Sequence, residues 1–462
     1  MKKVNATWVL ILTSLGIFLS MMDSMIVTTA STAIRNDFNI TVSQLQWAIN
    51  AYNITIAAVL LLGVSLGDRF GHRKVYNLGI LVFVIGSILC ALSNSINFLI
   101  VARIIEGIGA SVITPMSMAI LTSALPSEER GRALGIWSGI GGLALTVGPA
   151  LGGFIVAKLM WQWIFWINVP IGIVGMYLSQ KKLPESKRNA SSINILDSIL
   201  IILASAGIIW ALSESKSVPI ATSTIIIGVI SIIIGVLFVF RQKSESEPMV
   251  PLRFFKSKSF NGGNIATFLL YASMYGVVFF LPQYFQVVNH SNALILGLKL
   301  LPWTGTLVII APFAGSAVDK FGERFIATIG LVLQGIGYLW IALAFHPGTS
   351  YLLIVLPLVL AGTGLSMAGP ALQKSAIGSV KGNEVGKASG IYNMFQLFSG
   401  AVGVTVTVII FYAVGSVATV SDFFNGFSAA MIGAGLMSLV GIIFAMMIVK
   451  QKSSFMRLRS IG

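Results

Sequence analysis

Fourteen long apolar stretches run through this 462-residue chain. They lie near 8–33, 47–66, 75–94, 98–122, 134–156, 163–180, 195–213, 220–240, 260–284, 294–317, 325–345, 351–372, 388–412 and 426–449. A bilayer-crossing helix needs about 20 mostly apolar residues. The stretches are continuously apolar rather than alternating, which favours helices over a barrel. The sequence therefore predicts an all-α polytopic membrane protein with 14 transmembrane helices.

The basic residues fall between these stretches. A net charge of +15 would suggest nucleic-acid binding in a soluble protein, but only 10% of residues are charged and 56% are hydrophobic. With a cytoplasmic N-terminus, the inner loops and tails hold 25 of the 30 Lys and Arg, whereas the outer loops hold only Arg35, Lys158 and Lys216. The positive-inside rule thus predicts cytoplasmic N- and C-termini and argues against a nucleic-acid partner.

Catalytic and cofactor signatures are missing from the sequence. The single cysteine, Cys90, excludes a disulfide framework, and His72, His290 and His346 are too far apart for a metal site or a triad. Gly382 to Lys387 is the nearest approach to a phosphate loop, with a wrong spacing and Ala388 in place of Ser or Thr. We therefore expect no enzyme activity, no cofactor and no metal, and any uphill transport must use an ion gradient.

An internal repeat divides the chain. Segments 107–111, 131–137 and 68–73 recur in the same order at 362–366, 386–392 and 319–324. The offsets are 255, 255 and 251 residues. This predicts a six-helix bundle at 1–190, an inserted helix pair with a cytoplasmic loop at 191–258, and a second six-helix bundle at 259–462. Both bundles begin on the same side, so the substrate cleft is expected between parallel repeats.

The loop after the second stretch carries a motif that recurs in the second half. Its members are Gly67, Asp68, Arg69, Gly71 and Arg73, then Asp319, Lys320, Gly322 and Arg324. They resemble the cytoplasmic loop motif of the major facilitator superfamily, and the whole chain is similar to its fourteen-span drug:proton antiporters, which include quaternary-ammonium exporters. The resemblance implies the major facilitator fold and a gating latch; a simple positive-inside anchor is the alternative.

The fifth stretch contains a glycine and proline pattern. Gly135, Gly148, Pro149, Gly152 and Gly153 resemble the antiporter signature of exporters in this superfamily. In the second half Gly403 aligns with Gly148, but Val404 replaces the proline. This asymmetry favours export over uptake, while helix packing through small residues is the alternative.

Three charged residues fall inside the first half's apolar stretches. Asp23 belongs to a segment similar to the family's first-helix motif, and Arg103 to a motif in which an embedded Arg takes part in proton transfer. Glu106 stands where Gln is commoner, and whether Arg103 pairs with it is left open. Asp23 and Glu106 should lie at similar depth. Since buried acids are functional candidates, we expect proton coupling by all three and cation binding by the acids, with a structural role for Asp23 as the alternative.

Polar and aromatic residues on the cleft-forming stretches are substrate candidates: Tyr52, Asn53, Tyr271, Tyr275, Tyr392 and Gln396. Ordinary packing is the alternative for each. Asp197 and Glu214 lie at the ends of the seventh stretch, where solvated capping is expected. The tryptophan-rich segment 161–170 suits an interfacial belt.

The expected function is proton-coupled export of a lipophilic cation, such as a drug or antiseptic, by alternating access. Its partners are then a small-molecule substrate, protons and the lipid bilayer, and the protein is expected to be a monomer in a bacterial plasma membrane. Export of an endogenous lipid or siderophore would look the same on this scaffold. Proton-coupled nutrient symport is a further alternative, against which the proline signature of the fifth stretch speaks.

Overall fold

The structure, a computed structural model, describes residues 5–125, 127–185, 194–214, 221–245, 248–288, 291, 293–346, 349–380 and 385–449. Lys2, Lys3 and the basic tail after residue 449 lie outside these ranges. The described residues form helices joined by short loops, without a strand among them.

Fifteen α-helices occur in the described part of the chain. They are α1 (Ala6–Phe38), α2 (Val42–Phe70), α3 (His72–Ala91), α4 (Ile96–Ala124), α5 (Ser127–Lys158), α6 (Trp163–Trp166), α7 (Asn168–Lys182), α8 (Ile195–Glu214), α9 (Thr222–Ser244), α10 (Lys258–Val287), α11 (Ala293–Phe321), α12 (Glu323–Ala344), α13 (Tyr351–Ile377), α14 (Val385–Val414) and α15 (Val420–Ala445).

Several helices begin at a side chain that caps the first turn. Asn5, Thr41, Ser95, Ser257 and Thr419 each accept a hydrogen bond from a first-turn backbone N–H. Thr41 forms a full capping box with Gln44. These caps satisfy N–H groups that a helix leaves unpaired, so the polar connections between apolar stretches define where the helices start.

The number of spans differs from the prediction. Among the described residues, 12 helical segments are long and apolar enough to cross a membrane, with α6 and α7 together forming one of them. The predicted fourteen are therefore not supported in full. The other two expected spans correspond to α11 and to α8, and the apolar segment found among the described residues of α8 is Ile195–Ala211.

The chain divides into two compact units. Unit 1 contains the described residues of 1–211, 222–249 and 291–299, and unit 2 contains those of 212–221, 250–290 and 300–462. Helices α1 to α7 and α9 lie wholly in unit 1, whereas α10 and α12 to α15 lie wholly in unit 2.

Helix bounds agree with the internal repeat. Helix α2 ends at Phe70 and α11 at Phe321, 251 residues apart, and both are followed by a glycine. Gly71 has φ of 102° and Gly322 has φ of 88°, a backbone conformation that favours glycine. The same sharp helix-to-helix turn therefore occurs once in each unit.

Helices α8 and α9 are joined by a polar cluster. Asp197 is 1% exposed, accepts a hydrogen bond from Arg241 Nε at 2.7 Å and another from Gln242 Nε2 at 2.6 Å. The prediction of solvated capping by Asp197 is therefore wrong. The residue does lie in the first turn of α8, but its carboxylate is buried against α9, where an ion pair and an amide satisfy it.

Candidate functional site

Three buried charges meet inside unit 1. Arg103 Nη1 lies 2.5 Å from Asp23 Oδ2 and 2.7 Å from Glu106 Oε2, and none of the three side chains is more than 2% exposed. Arg103 and Glu106 share a face of α4 because they are three residues apart, while Asp23 comes from α1. The open question about Arg103 thus has an answer in the structure: the guanidinium pairs with both carboxylates.

Helix α3 closes the cluster on one side. A Cβ atom added to Gly86 would lie 2.5 Å from the backbone nitrogen and the Cα atom of Glu106, so glycine is needed for this approach. One turn further along, the Cys90 thiol donates to Glu106 Oε2 at 3.4 Å. The acid is therefore held between α3 and α4 and shielded from water.

Tyr52 of α2 belongs to the same cluster. The Arg103 guanidinium carbon lies 4.0 Å from the centre of the Tyr52 ring, within cation–π distance. The Tyr52 hydroxyl donates to the Ser20 backbone oxygen at 3.0 Å. Asn53, the neighbouring substrate candidate, is also buried in α2. Tyr52 thus contacts the charged cluster directly.

Asn168 is a member of the cluster that sequence reasoning missed. Its Nδ2 atom donates to Asp23 Oδ1 at 3.1 Å and to Ser87 Oγ at 3.0 Å, and Ser87 in turn donates to the Phe165 backbone oxygen. Asn168 is fully buried at the start of α7. The available signal was an asparagine within an otherwise apolar and aromatic segment.

The cluster has more acid than base. Two carboxylates face one guanidinium among the described side chains, so it is neutral overall only when one acid is protonated. Arg103 Nε, Glu106 Oε1 and Asn168 Oδ1 are buried without a hydrogen-bond partner. Because an uncompensated charge is expensive in a dry interior, such an arrangement can take up and release a proton.

Unit 2 has a neutral network where unit 1 has charges. The repeat offset of 255 puts Leu358 and Ala361 at the places of Arg103 and Glu106. A Cβ atom added to Gly337 would meet the backbone of Ala361, just as a Cβ atom added to Gly86 would meet the backbone of Glu106. The fully buried Gln334 there accepts from Ser438 Oγ at 2.7 Å and donates to Tyr338. The charged residues are thus confined to one copy of the repeat.

The antiporter-like glycines of α5 pack on α1 beside Asp23. A Cβ atom at Gly148 would lie 3.0 Å from the Met22 backbone oxygen, and one at Gly152 would lie 3.0 Å from that of Ile26. Pro149 lies inside α5, as does Gly135, and Gly153 is buried. The small residues therefore bring α5 against the turns of α1 on either side of the acid.

The substrate candidates of unit 2 come together in part. The Tyr392 hydroxyl donates to the Gly369 backbone oxygen at 3.4 Å, and a Cβ atom on Gly369 would lie 3.2 Å from the Tyr271 hydroxyl. Tyr271 and Tyr392 thus meet at Gly369. Tyr275 packs its ring on Gly400 instead, and Gln396 is half-buried in α14.

The loop motif of unit 1 is held by an acid that sequence reasoning missed. Glu185 Oε1 accepts from the Arg73 backbone N–H at 3.0 Å, and Arg73 Nε lies 3.5 Å from Glu185 Oε2. The Gly71 N–H donates to the Gly67 oxygen and closes α2, and Arg69 is exposed. Asp68 lies in α2, but its side chain is outside the described residues.

The corresponding motif in unit 2 uses a lysine. Lys374 Nζ lies 2.7 Å from Asp319 Oδ1 and 3.2 Å from Glu323 Oε1, which ties the end of α11 and the start of α12 to α13. Lys320 is exposed and Arg324 is half-buried on either side of Gly322. Both loops therefore form ion pairs with a neighbouring segment.

Comparison with known proteins identifies the family. The model of the Major Facilitator Superfamily matches residues 13–404, with a second match over 263–457. The chain belongs to the Major Facilitator Superfamily. As a member, it is a multi-pass membrane transporter and not an enzyme.

Relatives in the Major Facilitator Superfamily include proteins named for drug resistance and for a vitamin. The riboflavin transporter RibZ of Clostridioides difficile is 32% identical, with 86% of each chain covered. The multidrug resistance protein Stp of Mycobacterium tuberculosis is 29% identical over 86% of this chain and 74% of the relative. The multidrug export protein EmrB of Haemophilus influenzae is 28% identical over 86% of this chain and 79% of the relative.

Solved structures of the superfamily share the fold. The proton:xylose symporter XylE covers 97% of each chain with a TM-score of 0.69 at 17% identity. The human organic anion transporter MFSD10 covers 96% of this chain and 99% of its own with a TM-score of 0.65 at 16% identity. At these identities the comparison supports the major facilitator fold alone.

Proposed function

We propose that this transporter is a proton-coupled antiporter that exports lipophilic cations, drugs or antiseptics among them, through alternating access. The proposal includes fourteen membrane helices arranged as six, two and six, with both termini in the cytoplasm of a bacterium and a monomer in the plasma membrane. The observation that carries it is the buried pair of carboxylates, Asp23 and Glu106, which share the single guanidinium of Arg103.

Proton binding follows from this charge balance. When both acids are ionised, the cluster carries one excess negative charge that a proton or a cationic substrate can neutralise. In the state open to the cytoplasm the ionised Asp23 attracts the cation, and in the state open to the outside a proton binds and releases it. A proton that then returns inward supplies about 2.3 kcal/mol per 100 mV of membrane potential plus the free energy of the pH gradient. Export of a monovalent cation consumes the same electrical energy, so one-for-one exchange is driven by the pH gradient.

Export is proposed over uptake because Gly148 and Pro149 of α5 resemble the antiporter signature of exporters, whereas Gly403 and Val404 in the second half lack the proline. The glycines of the antiporter-like signature touch α1 at Met22 and Ile26, on either side of Asp23. A change in the packing of α5 would therefore move the acid directly. Relatives named for multidrug export and antibiotic resistance agree with this direction.

Aromatic side chains suit the apolar body of such a substrate. Tyr271 and Tyr392 present two hydroxyls at Gly369 in unit 2, and Tyr52 supplies a ring beside the charged cluster in unit 1. Aromatic rings attract organic cations by cation–π contact and bury large apolar areas. We include Asn53, Tyr275 and Gln396 in the proposed binding set.

Asp23→Asn tests the proposal. In inverted membrane vesicles, ethidium should release protons from vesicles that contain the native protein, and this release should be lost in the Asp23→Asn variant at equal expression. The matched control is Asp37→Asn in the same helix, because Asp37 is exposed and accepts only a peripheral bond from Trp161 Nε1 at 2.8 Å. Exchange at the native rate by Asp23→Asn would refute proton coupling through this acid.

A second candidate function is transport of a flavin-like planar solute, which the 32% identity to a riboflavin transporter favours. Two measurements in cells that cannot synthesise riboflavin distinguish the vitamin transporter from the exporter: uptake of labelled riboflavin and growth on riboflavin. If this protein restores uptake and growth without changing ethidium efflux, the result would support the vitamin transporter and contradict the exporter.

A further inference from the structure

Asn168 offers Asp23 two different hydrogen-bonding groups. In the structure its Nδ2 atom donates to Asp23 Oδ1 at 3.1 Å, while its Oδ1 atom is buried without a partner. An ionised carboxylate only accepts hydrogen bonds, whereas a protonated one also has an O–H to donate. The recorded contact therefore fits ionised Asp23.

Protonation creates a donor that needs a new acceptor. The other charged and titratable groups that face Asp23 are Arg103 and Glu106 from α4, Cys90 from α3 and Tyr52 from α2. Arg103 only donates, and the Tyr52 hydroxyl is bonded to Ser20. Glu106 accepts from Cys90 and Arg103 through Oε2, while its Oε1, like Asn168 Oδ1, is buried without a hydrogen-bond partner. Of these two residues, Asn168 is the one whose side chain already bonds Asp23 Oδ1. Helices α5 and α7 contribute the uncharged Gly148 and Asn168.

Resting on the proposed proton coupling, we propose that Asn168 is a positioning residue that follows the proton by rotating its amide through about 180°. With Asp23 ionised, Nδ2 donates to the carboxylate. When a proton from the outside forms an O–H bond at Asp23 Oδ1, the amide turns and its own oxygen accepts that O–H. When the proton leaves for the cytoplasm, the amide turns back.

The rest of the network permits this rotation. Ser87 accepts from Nδ2 and donates to the Phe165 backbone oxygen, and its rotatable hydroxyl can instead donate to the turned amide oxygen. The amide oxygen lacks a partner in the structure, the amide nitrogen lacks one after rotation, and the Phe165 oxygen then loses its bond from Ser87. The network therefore keeps one more hydrogen bond when Asp23 is ionised than when it is protonated.

Asn168→Leu removes both the donor and the acceptor while keeping the branched shape and the number of heavy atoms of the side chain. A donor to an ionised carboxylate is a stronger partner than an acceptor for a neutral acid, so the variant loses more stabilisation of ionised Asp23. The pH profile of ethidium–proton exchange should move by about one unit towards higher pH, a tenfold change in proton affinity. The matched control is Asn77→Leu, since Asn77 is a buried amide in α3 that bonds Ser179 and not Asp23.

Infrared spectroscopy observes the amide itself. In protein with carbon-13-labelled asparagine, acidification should shift one side-chain carbonyl band in the native protein and in Asn77→Leu, and the shift should disappear in both Asn168→Leu and Asp23→Asn. A purely structural Asn168 would leave the band shift unchanged by Asn168→Leu. An unshifted pH profile in that variant would overturn the inference even if Asp23→Asn is inactive, whereas native exchange by Asp23→Asn would overturn the proposed function.

Discussion

Gly86 and Glu106 are in backbone contact, because a Cβ atom at residue 86 would lie 2.5 Å from the nitrogen and the Cα atom of residue 106. Helices α3 and α4 can approach this closely only while residue 86 has no side chain. The position of the acid in the charged cluster therefore depends on a glycine in another helix.

Gly86→Ala should separate α3 from α4 and displace Glu106. Overpacking of this kind costs about 1–3 kcal/mol, and we expect a lower thermal unfolding temperature in detergent together with loss of ethidium–proton exchange. Gly139→Ala is the control, since a Cβ atom there would meet nothing within 4 Å. Equal unfolding temperatures and equal exchange rates in Gly86→Ala and Gly139→Ala would contradict the close contact between residue 86 and the backbone of Glu106.

Tyr52 should act through its ring more than through its hydroxyl. Tyr52→Phe keeps the ring 4.0 Å from the Arg103 guanidinium and loses the bond to Ser20, whereas Tyr52→Leu loses both. A desolvated cation–π contact is worth about 2 kcal/mol, so exchange should fall further, by at least tenfold, in the leucine variant. Identical rates of ethidium–proton exchange in Tyr52→Phe and Tyr52→Leu would mean that the ring of Tyr52 does not contribute through contact with Arg103.

Glu106→Gln should make ethidium–proton exchange less dependent on the pH gradient. With one acid and one guanidinium left, the cluster is neutral while Asp23 is ionised, so Asp23 gains less from binding a proton. We expect the dependence of ethidium transport on the pH gradient to flatten, measured in vesicles at fixed membrane potential. A pH profile identical to that of the native protein would exclude Glu106 from the proton-binding cluster.

The two positive-φ glycines should respond differently to alanine. Both Gly71→Ala and Gly322→Ala introduce backbone strain of about 1–3 kcal/mol. At Gly322 a Cβ atom meets nothing within 4 Å, but at Gly71 it would also collide with the Glu185 carboxylate. Chemical unfolding should therefore show a larger loss of stability for Gly71→Ala, and the reverse order would contradict this account.

Asp197→Asn should weaken the packing of α8 on α9 without stopping transport. The substitution removes the ion pair with Arg241 and weakens the bond from Gln242, a change of about 1–3 kcal/mol. We expect faster proteolysis near α8 and α9 and unchanged ethidium efflux. Glu245→Gln is the milder control, because Glu245 is about one-third exposed. Loss of efflux in Asp197→Asn alone would assign the helix pair a direct part in transport.

The helices and the three buried charges could be predicted because each has a strong local signal. Continuous apolar stretches indicate helices in a membrane, and a charge such as Asp23 within one is rare and expensive.

Partners distant in sequence could not be predicted. Asn168 is a neutral amide whose partner Asp23 lies 145 residues away, so neither hydropathy nor spacing indicates the contact. The same reason explains the error at Asp197, whose burial depends on Gln242 45 residues later in the chain. Glu185, which holds Arg73, follows a span and has the appearance of an ordinary loop acid.

The pairing of Asp23 with Arg103 also determines an order of events during synthesis. The arginine lies 80 residues after the acid, so at roughly 5–20 residues per second it leaves the ribosome about 4–16 s later. During that interval α1 carries a carboxylate without its cation. The buried ion pair therefore forms only after α4 has been made, although α2 and α3 are made between its two helices.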